Sequence, residues 1–311
     1  MIAGLGIDKN GVKMNFLHAL SRQIKNFSEL VAFEHTIFSS SFILIAMVVA
    51  SMQKQGSVWC GWETLALCAL ALVSARNFAM GFNRLKDRDI DKANARTNTR
   101  PSVDGRISLA ALVMFNVCNA LAFVLVSYLI NSLAFYLSVP FLLILALYSY
   151  MKRFSALAHW VLGVCLGLAP LAGVIAIMGE ITLWSVLLSI GVLFWVAGFD
   201  LLYSLQDMEF DKRNNLHSIP AYFGVNATLW ISRLCHIAAV GFWVAFVDVA
   251  NLGFLAWLGV ILSAFMLCYE QYLVKIHLKH IPKAFFVTNG YLGIMFFACV
   301  LLDSIKAMYG Y

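Results

Sequence analysis

Apolar runs of roughly 18–25 residues recur along almost the whole chain, each long enough to cross the hydrocarbon of a bilayer. In lipid every backbone N–H and C=O must be satisfied within the segment, so runs of this length fold as helices. Nine are legible, at 36–54, 59–82, 108–130, 132–151, 156–178, 183–204, 228–248, 251–274 and 284–303. The third and fourth meet at a tight turn, Asn131-Ser132. The chain is 62% hydrophobic and 12% charged, where a soluble domain carries about 25% charged residues. The expected fold is all-α: a polytopic membrane protein with about nine transmembrane helices over residues 29–305. A cytoplasmic N-terminal segment, 1–28, and a short C-terminal tail, 306–311, complete the expected organisation.

The placement of basic residues tests the count. With nine spans and the N-terminus inside, all but Lys54 and Lys306 of the 22 Lys and Arg residues fall on the cytoplasmic side. That asymmetry is the positive-inside pattern and fixes the parity of the count. It implies an inner, cytoplasmic membrane with the polar loops facing the cytoplasm. The net charge of +6 is then a property of topology. No basic arm or aromatic–basic platform calls for a nucleic-acid partner, and nothing points to a protein partner. Residues 1–28 lack a signal-peptide core; Leu17, Leu20 and Ile24 could instead form a short interfacial helix. The seven cysteines are scattered through the spans without a CxxC, as small apolar packers are.

Two acidic clusters follow the second and sixth spans. The first reads Asn83-Arg-Leu-Lys-Asp87-Arg-Asp-Ile-Asp91 and the second Tyr203-Ser-Leu-Gln-Asp207-Met-Glu-Phe-Asp211. Spacing of four places Asn83, Asp87 and Asp91 along one side of a helix, and Asp207 and Asp211 likewise, at about one turn (roughly 5.4–6 Å) per step. Asp91-Lys92-Ala-Asn94 and Asp211-Lys212-Arg-Asn214 share a D-K-x-N pattern at an offset of 120 residues. Four spans separate the copies, so spans 1–4 and 5–8 read as parallel four-helix halves with span 9 added. Repeats of this kind place a site between the halves. The long polar loops that follow the clusters, about 83–107 and 205–227, could cap it.

Facing carboxylate ladders repel unless a cation lies between them. Four aspartates carry four negative charges, which two Mg²⁺ ions neutralise. Mg²⁺ takes hard oxygen ligands and shares them with substrate phosphate. Arg84, Arg88, Lys152, Arg153 or Lys212 could balance a diphosphate. Two metals on a diphosphate make it a better leaving group. Departure from an allylic carbon leaves a cation that needs a dry, aromatic-walled site; Phe82, Tyr148, Tyr150, Trp195, Phe199 and Tyr203 could supply the walls.

These residues resemble the UbiA superfamily of intramembrane prenyltransferases. Its N-x-x-x-D-x-x-x-D motif stands here as Asn83/Asp87/Asp91. Its D-x-x-Y-x-x-x-D-x-x-x-D motif stands as Asp200/Tyr203/Asp207/Asp211. The resemblance covers residues of about 30–305. It implies Mg²⁺-dependent transfer of an isoprenoid chain from polyprenyl diphosphate to an acceptor, usually an aromatic ring, in respiratory quinone (ubiquinone or menaquinone) synthesis. It implies that Asn83, Asp87, Asp91, Asp207 and Asp211 hold the metals. It assigns Asp200, with Tyr203 of the same motif, to orienting or deprotonating the acceptor. Arg76, inside the second span, looks like the binder of an acceptor carboxylate; an arginine within hydrocarbon usually faces a cavity. Lys152 and Arg153 close a segment that resembles the family's basic stretch near the diphosphate. Phe33-Glu-His-Thr36-Ile resembles a 4-hydroxybenzoate prenyltransferase-like subgroup, some of which use naphthoate-type acids. His159, His236, His277 and His280 lack ligand spacing and read as interfacial packing. Two alternatives stand beside this reading. One is transfer to haem, a chlorophyllide or a sugar phosphate; the other is a transporter binding cations at the acidic clusters.

Overall fold

The structure, a computed structural model, describes residues 16–31, 36–276 and 287–310. Among these residues all regular structure is helical: α1 (Phe16–Leu30), α2 (Thr36–Gln55), α3 (Trp62–Lys86), α4 (Arg88–Ala93), α5 (Leu109–Ile130), α6 (Ser132–Met151), α7 (Ala158–Met178), α8 (Leu183–Ser204), α9 (Met208–Arg213), α10 (Ile219–Val249), α11 (Phe254–Ile276) and α12 (Asn289–Met308). Eight of them (α3, α5, α6, α7, α8, α10, α11 and α12) are long and apolar enough to cross a bilayer. The remaining expected span is α2, a 20-residue helix whose stretch from Phe42 to Ala50 is buried except for Leu44. Phe33, Glu34, His35, His277 and His280 lie outside the described residues.

Polar caps fix where the long helices start. Ser108 accepts from the Ala111 N–H at α5, Asn131 from Ala134 at α6, and Ser218 from Ala221 at α10. Asn131 is the single residue between α5 and α6, and its Nδ2 also donates to the Ile175 carbonyl. The seventh span differs from the sequence expectation. It begins at Ile219, nine residues before 228, because Ser218 caps it there; a kink follows at Gly224, whose φ of 75° only glycine takes easily. At the C-terminus α12 continues through Met308, past the expected boundary at 305.

Consecutive spans pack side by side, α12 returns to α2, and α2 packs on α7. An aromatic centre of Phe42, Trp195, Trp243 and Phe296 ties α2, α8, α10 and α12 together, with the Phe42 ring centroid 4.9–6.0 Å from the other three. Outward faces are apolar too: Met114, Val117, Leu121 and Leu125 of α5 are exposed at helical spacing, as a lipid-facing stripe requires. The backbones of α7 and α8 come very close. A Cβ on Gly163 would collide with the Leu193 carbonyl oxygen, and one on Gly167 would lie 2.8 Å from that of Ser189. The two glycines, four apart, let the backbones touch, as small residues do where helices meet in membranes.

Candidate active site

Both acidic clusters sit where a long helix ends. α3 runs through Asn83 to Lys86 and bends at Asp87 (φ −91°, ψ 11°) before the six-residue α4; α8 gives way to a 3-10 turn, Leu205–Asp207, and bends at Asp207 (φ −99°, ψ 0°) before the six-residue α9. The same bend and the same short helix thus recur 120 residues apart. The straight helical ladder expected from the spacing is corrected by these bends. The i→i+4 bonds nonetheless persist across the first: Asp87 N–H donates to Asn83 O at 2.9 Å, and Asp91 N–H to Asp87 O at 2.7 Å.

The bends aim both clusters into one cavity of about 460 Å³, lined by Asn83, Asp87 and Asp91 from one side and Asp200, Tyr203, Asp207 and Asp211 from the other. Arg76, Arg84, Lys152, Tyr148 and Phe199 also line it. A second, apolar chamber of about 170 Å³ adjoins it between α3, α5, α6 and α7, lined by Phe123, Leu137, Phe141 and Leu162 among others. Arg76, Asn83 and Tyr148 border both spaces. The combined volume therefore has a charged head and a hydrocarbon end, with an arginine at the junction.

Cations already lie between the carboxylates. Arg96 donates to Asp207 through Nε at 3.0 Å and Nη2 at 2.5 Å, and to the Tyr203 hydroxyl at 3.2 Å. Arg100 donates to Asp91 at 2.6 Å, and Lys152 stands 3.9 Å from Asp211. Arg96 and Arg100 come from the 83–107 loop, which closes over the cavity; Arg106 pins that loop to Glu29 of α1 at 2.5 and 2.8 Å. Arg96 escaped notice in the sequence because its partner is 111 residues away.

The other basic candidates divide. Arg84 lines the cavity and donates to Asn83 Oδ1 at 3.0 Å. Arg88 instead donates to the Ser102 carbonyl at 2.8 Å, tying the loop down. Arg153 donates to Asp89 at 2.8 Å and to the Lys86 carbonyl at 2.6 Å, and reaches only 3.8 Å from Asp87. Its guanidinium holds Asp89 below the usual carboxylate range. Lys212 stands 3.7 Å from Glu209 on the exposed side of α9. Arg88, Arg153 and Lys212 do not line the cavity. Of the aromatic candidates, Tyr148, Phe199 and Tyr203 line it. Phe82 and Tyr150 flank Lys86, and Trp195 lies in the core, donating to Asn289 at 2.7 Å.

Among the described residues no three Asp, Glu, His or Cys side chains already converge as a metal cage. The donor set nonetheless suits a hard cation. Oδ2 of Asp91 and Oδ2 of Asp211 are buried without a hydrogen-bond partner, and Asp87 carries only the Asn83 amide at 2.8 Å as a hydrogen-bonded side-chain partner. Burial, then the Asp91 charge, pushes the Asp87 carboxyl up to about 6.

The sequence reading missed two further groups. His159, expected to be a packing residue, is fully buried on α7 with Nδ1 2.7 Å from Asp200 Oδ2 on α8. Glu270, on α11, is buried and accepts from Asn289 at 3.0 Å, while its Oε2 has no hydrogen-bond partner among the described residues. Neither belongs to a motif, and each meets its partner only through tertiary packing.

A profile of the UbiA prenyltransferase family matches residues 41–300. The chain belongs to that family. Among curated relatives, the 4-hydroxybenzoate octaprenyltransferase of Tolumonas auensis is 30% identical over 226 residues, which cover 71% of this chain and 77% of that protein. The apo structure of a UbiA homologue from Aeropyrum pernix K1 superposes with a TM-score of 0.77 at 31% identity, covering 87% of this chain and 98% of that one. A UbiA homologue from Archaeoglobus fulgidus bound to DMAPP and Mg²⁺ shares the fold at a TM-score of 0.68 and 17% identity, over 90% of this chain and 99% of that one. The UbiA chain described here is an intramembrane prenyltransferase by family.

Proposed function

We propose that this UbiA member transfers a polyprenyl chain from polyprenyl diphosphate to the ring of an aromatic acid in respiratory quinone synthesis. 4-Hydroxybenzoate is the first candidate acceptor, since the curated relatives are named for it; a naphthoate-type acid is the second. The observation that carries the reading is the join between the two cavities. An acidic, base-lined head space opens into an apolar chamber, which suits a diphosphate bearing a hydrocarbon chain. Arg76 at the junction gives a carboxylated ring a counter-charge in an otherwise apolar wall.

Asn83, Asp87, Asp91, Asp207 and Asp211 would hold Mg²⁺, two ions balancing the four aspartates; an Archaeoglobus homologue carries Mg²⁺ with DMAPP. When bound, the metal neutralises the diphosphate and makes it a better leaving group. The chain's own groups do the rest. Arg84 and Lys152 face the diphosphate end, and Arg96 and Arg100 can pass from carboxylate to phosphate. Tyr148, Phe199 and Tyr203 wall the reacting carbon from water. Asp200 takes the acceptor's phenolic proton. The head groups would face the cytoplasm in a multi-pass arrangement, as the basic loops indicate.

The test is a product assay on purified protein in lipid. Polyprenyl diphosphate and Mg²⁺ are supplied with 4-hydroxybenzoate or with hydroxynaphthoates, and the lipid extract is read by mass spectrometry. A prenylated, EDTA-sensitive product from one acceptor supports the reading and names that acceptor. Folded protein that binds the diphosphate but prenylates none of them overturns it.

A further inference from the structure

We infer that His159 is a positioning residue for acceptor activation: it holds the Asp200 carboxylate in the orientation that receives the acceptor's phenolic proton. The inference rests on the prenyl-transfer reading above and deepens it.

The geometry is specific. Asp200 lines the head cavity, and its Oδ2 lies 2.7 Å from His159 Nδ1. The imidazole is fully buried and its Nε2 has no hydrogen-bond partner among the described residues. An ionised carboxylate only accepts, so Nδ1 carries the hydrogen and donates. The donating hydrogen on Nδ1 points the imidazole at Asp200 whatever the state of Nε2. One carboxylate oxygen is thereby committed, and the other is left to the cavity.

The backbone enforces this contact. His159 lies one turn before Gly163, and Asp200 lies two turns beyond Leu193. The close approach of Gly163 to the Leu193 carbonyl brings α7 and α8 together at this level. No other side chain hydrogen-bonds Asp200 among the described residues. Asp207, by contrast, is gripped by Arg96 and Asn94.

The arrangement matters because a phenol is a poor ring nucleophile and a phenolate a good one. Asp200 removes the phenolic proton. The ring carbon supplies the electron pair for the new C–C bond as the prenyl C–O bond breaks, its pair leaving on the diphosphate. Loss of the ring proton to the departed diphosphate restores aromaticity, and the proton on Asp200 returns to the phenolate oxygen. His159 moves no proton in this sequence; it fixes the oxygen that does.

The test uses the full chain in lipid with 4-hydroxybenzoate and polyprenyl diphosphate. His159→Phe keeps the volume and removes the donor. It should lower kcat about 10–100-fold and leave the KM for polyprenyl diphosphate unchanged. His159→Asn, whose amide can take the place of Nδ1–H, should return kcat to within about threefold of wild type. In an Asp200→Asn background His159→Phe should cost nothing further, since its effect passes through Asp200. The inference is overturned if His159→Phe keeps wild-type kcat. It is equally overturned if His159→Asn is as impaired as His159→Phe, or if His159→Phe costs as much in the Asp200→Asn background, which would mark the loss as structural. Wild-type protein that prenylates no phenolic acid would overturn the parent reading and take this inference with it.

Discussion

Arg96 grips Asp207 with two hydrogen bonds, of 3.0 and 2.5 Å, across a sequence separation of 111 residues. The ion pair occupies a carboxylate that the family motif assigns to metal, so cation and guanidinium compete. Arg96→Gln should therefore tighten Mg²⁺ binding in the absence of diphosphate, by up to about fivefold, the worth of a part-exposed pair. The same change should weaken polyprenyl diphosphate binding, because the released guanidinium is lost as a phosphate partner. Titration calorimetry with Mg²⁺ alone and then with diphosphate separates the two effects; weaker Mg²⁺ binding would show that Arg96 assists the metal.

Proton and metal compete in the same way at Asp87. Its folded-state carboxyl is pushed up to about 6, from 3.8, by burial and by the Asp91 charge. A raised acid stabilises the metal-free fold fully below pH 3.8, and that contribution is lost as pH rises through about 6. Metal-free protein should thus lose thermal stability between pH 4 and 7 at this site, and Asp87→Asn should flatten the slope. Apparent Mg²⁺ affinity should fall as pH drops below about 6, because protons displace the cation.

Removing a metal-side carboxylate should end catalysis without unfolding the protein. Asp87→Ala and Asp207→Ala are expected to show turnover at background with an unchanged helical signal in lipid. Normal turnover in either would sink the metal assignment.

At the junction of the two cavities, Arg76→Ala should raise the acceptor KM by about tenfold or more, the loss of one charge-assisted bond. The KM for polyprenyl diphosphate should change far less. Equal changes in both constants would make Arg76 a structural residue.

Glu270 offers a stability test away from the reacting atoms. Its Oε1 accepts from Asn289, which in turn receives the Trp195 indole N–H. Glu270→Gln keeps an acceptor and should cost little. Glu270→Ala removes the acceptor of that buried bond and should cost about 1 kcal/mol in thermal unfolding.

Much of this arrangement was legible along the chain, for identifiable reasons. Lipid leaves a long apolar run no choice but helix, so α5, α6 and α8 start and stop within a residue or so of where hydropathy put them. α10 did not, because its first turns, from Ser218 to Gly224, are set by a cap and a glycine kink that hydropathy does not register. The spaced aspartates were visible because their period is local. Which cations answer them was not: Lys152 lines the cavity although it lies far from both clusters in sequence, whereas Arg88, next to Asp87, and Arg153 turn to backbone and to Asp89. Arg96 and His159 reach their partners only once a loop folds over or two helices touch, and no short pattern records that.

The glycine seam between α7 and α8 divides the protein into parts that can vary and a part that cannot. A methyl group at Gly163 has nowhere to go, so the wall carrying His159 and Asp200 tolerates almost no change in bulk. The chamber-lining side chains of α5 and α6 lie away from that seam. Resizing Phe123, Leu137 or Phe141 would change the volume of the apolar chamber without touching the hydrogen bond between His159 and Asp200.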